Sequence, residues 1–277
     1  MKIVVFDLDE TLGYFTEYGI FWDCLNKFIK LTNKDELTQN DFNDILDLYP
    51  EFIRPNIINI LMYLKNKKQS NCCHKMMIYT NNQGPVEWAN HIISYFENKI
   101  NFKLIDQIVA AFKVNGKHVE ICRTSHNKSH KDFIKCTRIP TNAEICFIDD
   151  SFYPEMANDN IYYINIKPYY YDLDFDYMLS TFKESKIGIR IIGNNVDNSH
   201  DNDSFDEIML TEFKRYKYSV VQKNLKEYEI DKILGKQIIT HLNSFFNKNK
   251  NKIKNANNKS VKRNKTEKRN KTEKRIL

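Results

Sequence analysis

Apolar residues run without a break from Ile3 to Phe6 and then give way to acid at Asp7, Asp9 and Glu10. Near-continuous Val, Ile and Phe suits a strand buried on both faces, as in a parallel sheet covered by helices. After Gly13 the pattern changes. An aromatic-rich piece leads through Gly19, which predicts a short hairpin. Leu25, Phe28 and Ile29, then Phe42, Ile45 and Leu46, recur at helical spacing. Pro55 stands near the start of an amphipathic helix carrying Ile57, Ile58, Ile60, Leu61 and Leu64. Lys75 to Tyr79 predicts the next strand, residues 85–96 a helix, and Leu104 to Val109 another strand before a hairpin-like turn at Asn115-Gly116. Ser129 with Asp132 three positions on resembles a capping box and starts a helix there. Glu144 to Ile148 and Ile161 to Ile164 predict two more strands, and segments around 205–217 and 224–246 predict helices. The chain therefore predicts an α/β fold with a mostly parallel sheet.

Of 277 residues, 42% are hydrophobic, enough for a sizeable core. The longest apolar runs fall short of the roughly 18 residues that span a bilayer. Asp7 interrupts the one amino-terminal candidate for a signal segment, so an intracellular chain, cytoplasmic or nuclear, with no membrane partner is expected. The six cysteines include no C-x-x-C pair, and reduced, buried thiols are the expectation. Charge is divided unevenly. Residues 248–277 carry +11, leaving −5 on residues 1–247. That basic stretch repeats Arg-Asn-Lys-Thr-Glu-Lys and has almost nothing apolar to bury, so a disordered tail is expected. The domain reading is a catalytic body over 1–192 with a small helical insertion at about 13–50, a linker at 193–204, a helical extension at 205–247, and the tail.

The candidate chemistry collects at strand ends. Asp7 and Asp9 would share a side if the strand geometry continued, and two adjacent carboxylates want a cation near them, most simply Mg²⁺ with its preference for oxygen ligands. A second acidic pair, Asp149-Asp150, follows the strand at Glu144 to Ile148 and would add ligands. Thr80 and Asn81, between a strand and a helix and ahead of Gly84, suit an anion site. Lys128 lies just before the helix start and would reach the carboxyl edge of the sheet; Lys131 is its rival.

The order Asp-x-Asp-x-Thr at 7–11, a strand ending in Thr80, a lysine at 128 or 131, and Asp149-Asp150 resembles the haloacid dehalogenase superfamily of phosphohydrolases over roughly residues 1–170. The spelling Asp-Leu-Asp-Glu-Thr-Leu, Arg54-Pro55 and the Asp-Asp-Ser ending are similar to its small protein phosphatases acting on phosphorylated transcription-machinery tails. The resemblance implies a Rossmann-like three-layer sandwich with a small cap or none. It implies that Asp7 attacks phosphorus, that Asp9 protonates the leaving oxygen and then activates water while its main-chain carbonyl reaches Mg²⁺, and that Asp149 and Asp150 complete the metal site. Thr80 and Asn81 would hold the phosphoryl oxygens, and Lys128 would offset their charge. A carboxylate at Asp9 favours phosphoester hydrolysis within that superfamily. With no room for a large lid, a phosphorylated macromolecule, either a phosphoprotein or a nucleic-acid end, is the expected substrate. Two other classes stay open: a nucleic-acid binder working through the basic tail, and an inactive docking scaffold.

Overall fold

A five-stranded sheet runs from edge to edge through Gln107–Val109 (β3), Lys75–Tyr79 (β2), Lys2–Phe6 (β1), Glu144–Asp149 (β6) and Ile161–Asn165 (β7), with every neighbouring pair parallel. The structure is a computed structural model and describes residues 1–193, 199–221 and 223–247. The expected basic tail at 248–277 and most of the expected linker's first half, 194–198, lie outside the described residues. All five residues of β1 are buried. Alternation sends Val4 and Phe6 to one face of the sheet and Ile3 and Val5 to the other, so each face has its own core. The result is a Rossmann-like α/β sandwich.

The two faces are covered unequally. Against Val4 and Phe6 pack Thr16–Leu31 (α1), Gln39–Leu46 (α2), Ile57–Gln69 (α3), Val86–Ile100 (α4), Phe175–Glu184 (α6) and Lys186–Ile192 (α7). Ile3 and Val5 meet chiefly His130–Thr137 (α5) through Phe133. The carboxy-terminal helices Ser199–Arg215 (α8) and 225–247 (α9) join the larger core. Phe205 of α8 sits 4.9 Å from Phe28, ring centre to ring centre, and Ile238, Leu242 and Phe245 of α9 are buried. Lys2 donates to the carbonyls of Phe245 (2.5 Å) and Phe246 (3.1 Å), capping the end of α9 from the first strand. The helical extension thus packs onto the body. Among the described residues no helix is long and apolar enough to cross a membrane.

Two expectations are corrected. Gly19 turns no hairpin but lies inside α1, because Tyr18, Phe21, Leu25 and Phe28 on either side form one continuous buried helical stripe. The antiparallel hairpin is at Lys113–Val114 (β4) and Lys117–His118 (β5), around Asn115-Gly116. The second correction concerns the cysteines. Cys122 and Cys136 form a disulfide with a Cα separation of 5.2 Å, whereas Cys24, Cys73 and Cys146 are buried thiols and Cys72 is an exposed one. Thr124 donates its N–H to Asp132 Oδ2 (2.7 Å), folding the segment back so that Cys122 meets the last turn of α5. A spacing of 14 residues carries no recognisable pairing signature.

One buried acid gives a test of the fold alone. Glu17 in α1 is fully buried; its Oε2 accepts from the Leu173 N–H (2.7 Å) and its Oε1 has no partner among the described residues. Burial pushes its pKa up to about 8, the Leu173 bond opposing and Asp172 reinforcing the rise. Between its ordinary value of 4.5 and about 8, the folded protein keeps a proton that the unfolded chain has released, so this group makes stability fall as pH rises through that window. Glu17→Gln cannot ionise, and should gain on the wild type by on the order of a few kcal/mol as pH is raised across the window. Urea unfolding at the two ends of the window measures it; an unchanging difference between the proteins would mean that Glu17 is ionised in the fold.

Candidate active site

The chain leaves β1 for β2 on one side and later returns to β6 on the other, so strand order reverses between β1 and β6, where open α/β sheets form a crevice at their carboxyl edge. Phe6 pairs with Ile148, which sets Asp7 and Asp149 side by side at that edge, and the Asp7 N–H donates to Ile148 O (2.9 Å). Lys128 lies between them. Its ammonium donates to Asp7 Oδ1 (2.5 Å) and Asp149 Oδ2 (2.6 Å), and its side chain is 1% exposed. Ser129 explains its reach: the Ser129 hydroxyl accepts from the Asp132 N–H and caps α5, while the Ser129 N–H donates to the Tyr79 hydroxyl at the end of β2. Lys131, one position inside the helix, is exposed.

Asp150 completes the acidic group. Carboxylate oxygens of Asp7, Asp149 and Asp150 lie within 4.8 Å of one another. Thr11 fixes Asp150 from both directions, donating to its Oδ1 (3.0 Å) and accepting from its N–H (3.2 Å). The side chain of Asp9 stands outside this trio and accepts from Asn82 Nδ2 (2.9 Å). The reason is that the strand ends at Phe6 and the chain turns over residues 8–13. Glu10 takes a left-handed φ of +57°, its N–H donates to Gly13 O (2.8 Å), and its carbonyl accepts from Arg54 Nη2 (2.5 Å) and the Tyr169 N–H (2.9 Å). Only glycine fits at position 13, because a Cβ there would come within 2.5 Å of Phe52 O. Arg54 is 1% exposed and also donates Nε to Thr11 O (2.7 Å), so one guanidinium holds the whole turn.

The electrostatics follow from burial. Burial raises the pKa of Asp7, with Lys128 pulling it back down and Asp150 adding to the rise. The same balance puts Asp149 at about 7, burial leading, Lys128 opposing and Asp7 reinforcing. Asp9 also reaches about 7, through burial first and the neighbouring Asp7 second, against the bond from Asn82. Burial would depress Lys128, but two carboxylates outweigh it and hold the ammonium above its ordinary value. One cation thus faces three or four acids, and the remaining negative charge is what a hard divalent ion would neutralise. The donor set fits such an ion: oxygens only, close together, drawn from Asp7, Asp149 and Asp150.

The loop after β2 forms the opposite wall. Thr80 is 2% exposed; its Oγ1 accepts from the Asn82 N–H (3.0 Å), and its hydroxyl proton has no acceptor among the described residues. The Asn81 side chain is engaged at both ends, accepting from Arg123 Nη2 (2.8 Å) and donating to the Tyr153 hydroxyl (3.1 Å). Its main-chain N–H makes no hydrogen bond among the described residues and is the group left to meet an oxyanion. Arg123 also donates to Thr80 O (2.9 Å), Ala110 O (2.8 Å) and His126 O (2.9 Å), tying this loop to the segment that carries Lys128. Asn82 and Arg123 escape sequence reasoning. Asn82 is one of several polar residues in a turn, and Arg123 acts from 43 residues away with no periodic or motif signal. Compared with known proteins, the chain matches no protein-family model, no curated protein and no solved structure.

Proposed function

We propose that this protein is a Mg²⁺-dependent phosphomonoester hydrolase of the haloacid dehalogenase type. The observation that carries the reading is Lys128 bridging Asp7 and Asp149 with Asp150 alongside, all at the reversal point of the sheet. Asp7, Asp149 and Asp150 would hold the ion, which supplies charge neutralisation for the phosphoryl oxygens. Lys128 opposes the rise that burial imposes on the Asp7 pKa and engages one of its oxygens, leaving the other to attack phosphorus in line and form an aspartyl-phosphate. Asp9, whose pKa burial raises to about 7 in the ion-free protein, gives its proton to the departing oxygen. The same carboxylate, now ionised, takes a proton from the water that attacks phosphorus and releases Asp7. The Thr80 hydroxyl and the Asn81 N–H donate to the phosphoryl oxygens, and Lys128 offsets their charge.

Asp7 is 6% exposed and Asp149 1%, whereas Asp9 and Asp150 are half-buried at the mouth, which supports a phosphate presented on a protruding group such as a side chain of a macromolecule. Hydrolysis of an aryl phosphate tests the reading. Chelation of divalent ions should lower turnover at least about 100-fold, and added Mg²⁺ should restore it; turnover indifferent to the chelator would rule the proposal out.

A further inference from the structure

The loop over residues 81–85 parts two clefts, and Asn82 lines both. One, of about 300 Å³, opens toward β3 and the β4–β5 hairpin and is walled mainly by Ile108, Ala110, Ala111, Val114 and Val119. The other, of about 270 Å³, lies between α1 and α4 and differs in chemistry. Trp88, Trp22 and His91 supply its aromatic wall, Asp23 and Glu87 are exposed on its rim, and among the described residues no lysine or arginine lines it.

We propose that this second cleft receives a lysine or arginine side chain of a phosphopeptide substrate, close to the residue that carries the phosphate. The proposal rests on the phosphatase reading of the site and names its substrate class. Two observations support it. The first is position: Asn82 lines the cleft and donates to Asp9, the group assigned to protonate the leaving oxygen, so the cleft adjoins the side on which the leaving group departs. Phe15 and Thr16, also in its wall, follow directly on the Gly13 end of the site turn. The second is the lining. An aromatic wall beneath two carboxylates attracts a cation through ring faces and charge together, and it offers nothing to balance an anion.

The test uses the full chain with Mg²⁺ and four substrates: an aryl phosphate, two phosphopeptides identical except for arginine or glutamine beside the phosphoresidue, and a 3′-phosphorylated oligonucleotide. The arginine peptide should be turned over with kcat/KM about tenfold higher than the glutamine peptide. That preference should shrink with added salt and disappear in the double variant Asp23→Asn/Glu87→Gln. Both positions are exposed, so the fold tolerates the change, and the ratio of the two peptides within one preparation cancels any loss of active protein. Equal rates on the two peptides, a preference that survives the double variant, or a higher kcat/KM on the oligonucleotide than on either peptide would each overturn the proposal while aryl phosphate turnover keeps the phosphatase reading. Absence of Mg²⁺-dependent turnover on every substrate would overturn both.

Discussion

Asp7→Asn should lower kcat for an aryl phosphate by about four orders of magnitude or more, with the protein still folded. The amide keeps the shape of the carboxylate but has no electron pair basic enough to attack phosphorus, and the neighbouring Asp149 and Asp150 are the carboxylates assigned to the ion. Lys128 retains Asp149 as a partner at 2.6 Å. Because burial raises the Asp7 pKa in the ion-free protein, removing that charge should leave the thermal midpoint without Mg²⁺ unchanged or higher. Lost stability together with lost activity would point to a structural role for Asp7. A rate within tenfold of wild type would exclude it as the nucleophile. The contrast between the two readouts makes this variant informative: the site trades stability for a reactive carboxylate, and the mutation should reverse the trade.

The second large effect is expected far from the crevice. Lys223 and Asp231 form an ion pair whose side chains are 2% and 0% exposed, and Asp231 is also the charge that most favours the ionised form of Arg54, whose Nη1 has no hydrogen-bond partner among the described residues. Helix α9 carries Asp231 and presses onto the same segment, since a Cβ at Gly235 would come within 2.4 Å of Pro55 O and Asn56 donates to Gly235 O (3.2 Å). Asp231→Ala leaves the Lys223 ammonium in a buried site with the Tyr170 carbonyl (2.6 Å) as acceptor but without its carboxylate, at a cost of about 3–5 kcal/mol. For a chain of this size that corresponds to a drop of roughly 10 °C in the thermal midpoint. Lys223→Met combined with Asp231→Leu should recover most of it, because both charges leave together. If the single variant melts with the wild type, α9 contributes no buried pair and the extension is only loosely attached.

How far the sequence discloses this arrangement depends on the range of the forces involved. The strand at Lys75 to Tyr79 is legible because its apolar run is bounded by a polar turn, and Ser129 is legible as a cap because it bonds the N–H three residues on. Asp7, Lys128, Asp149 and Asp150 could be singled out because each stands at the end of an element whose pattern is local. Asp7 and Asp9 would share a side only if the strand continued; it ends at Phe6, a left-handed Glu10 turns the chain, and the Asp9 carboxylate accepts from Asn82. The Cys122–Cys136 bridge, the Arg123 brace and the Arg54 clamp depend on contacts across 14 to 113 residues, which leave no periodicity in the chain. Helices α6 and α7 fell on the stretch after Asp172, where alternating acids conceal the buried Phe175, Met178, Leu179 and Phe182.

The most direct test of the account is to quench the protein in acid during turnover of an aryl phosphate with Mg²⁺ and to map covalent phosphate by peptide mass analysis. A phosphoryl group on Asp7, released by hydroxylamine as an acyl phosphate would be, is the predicted result. Sustained turnover with Asp7 unmodified at every quench time, or with the phosphate on another residue, would contradict it.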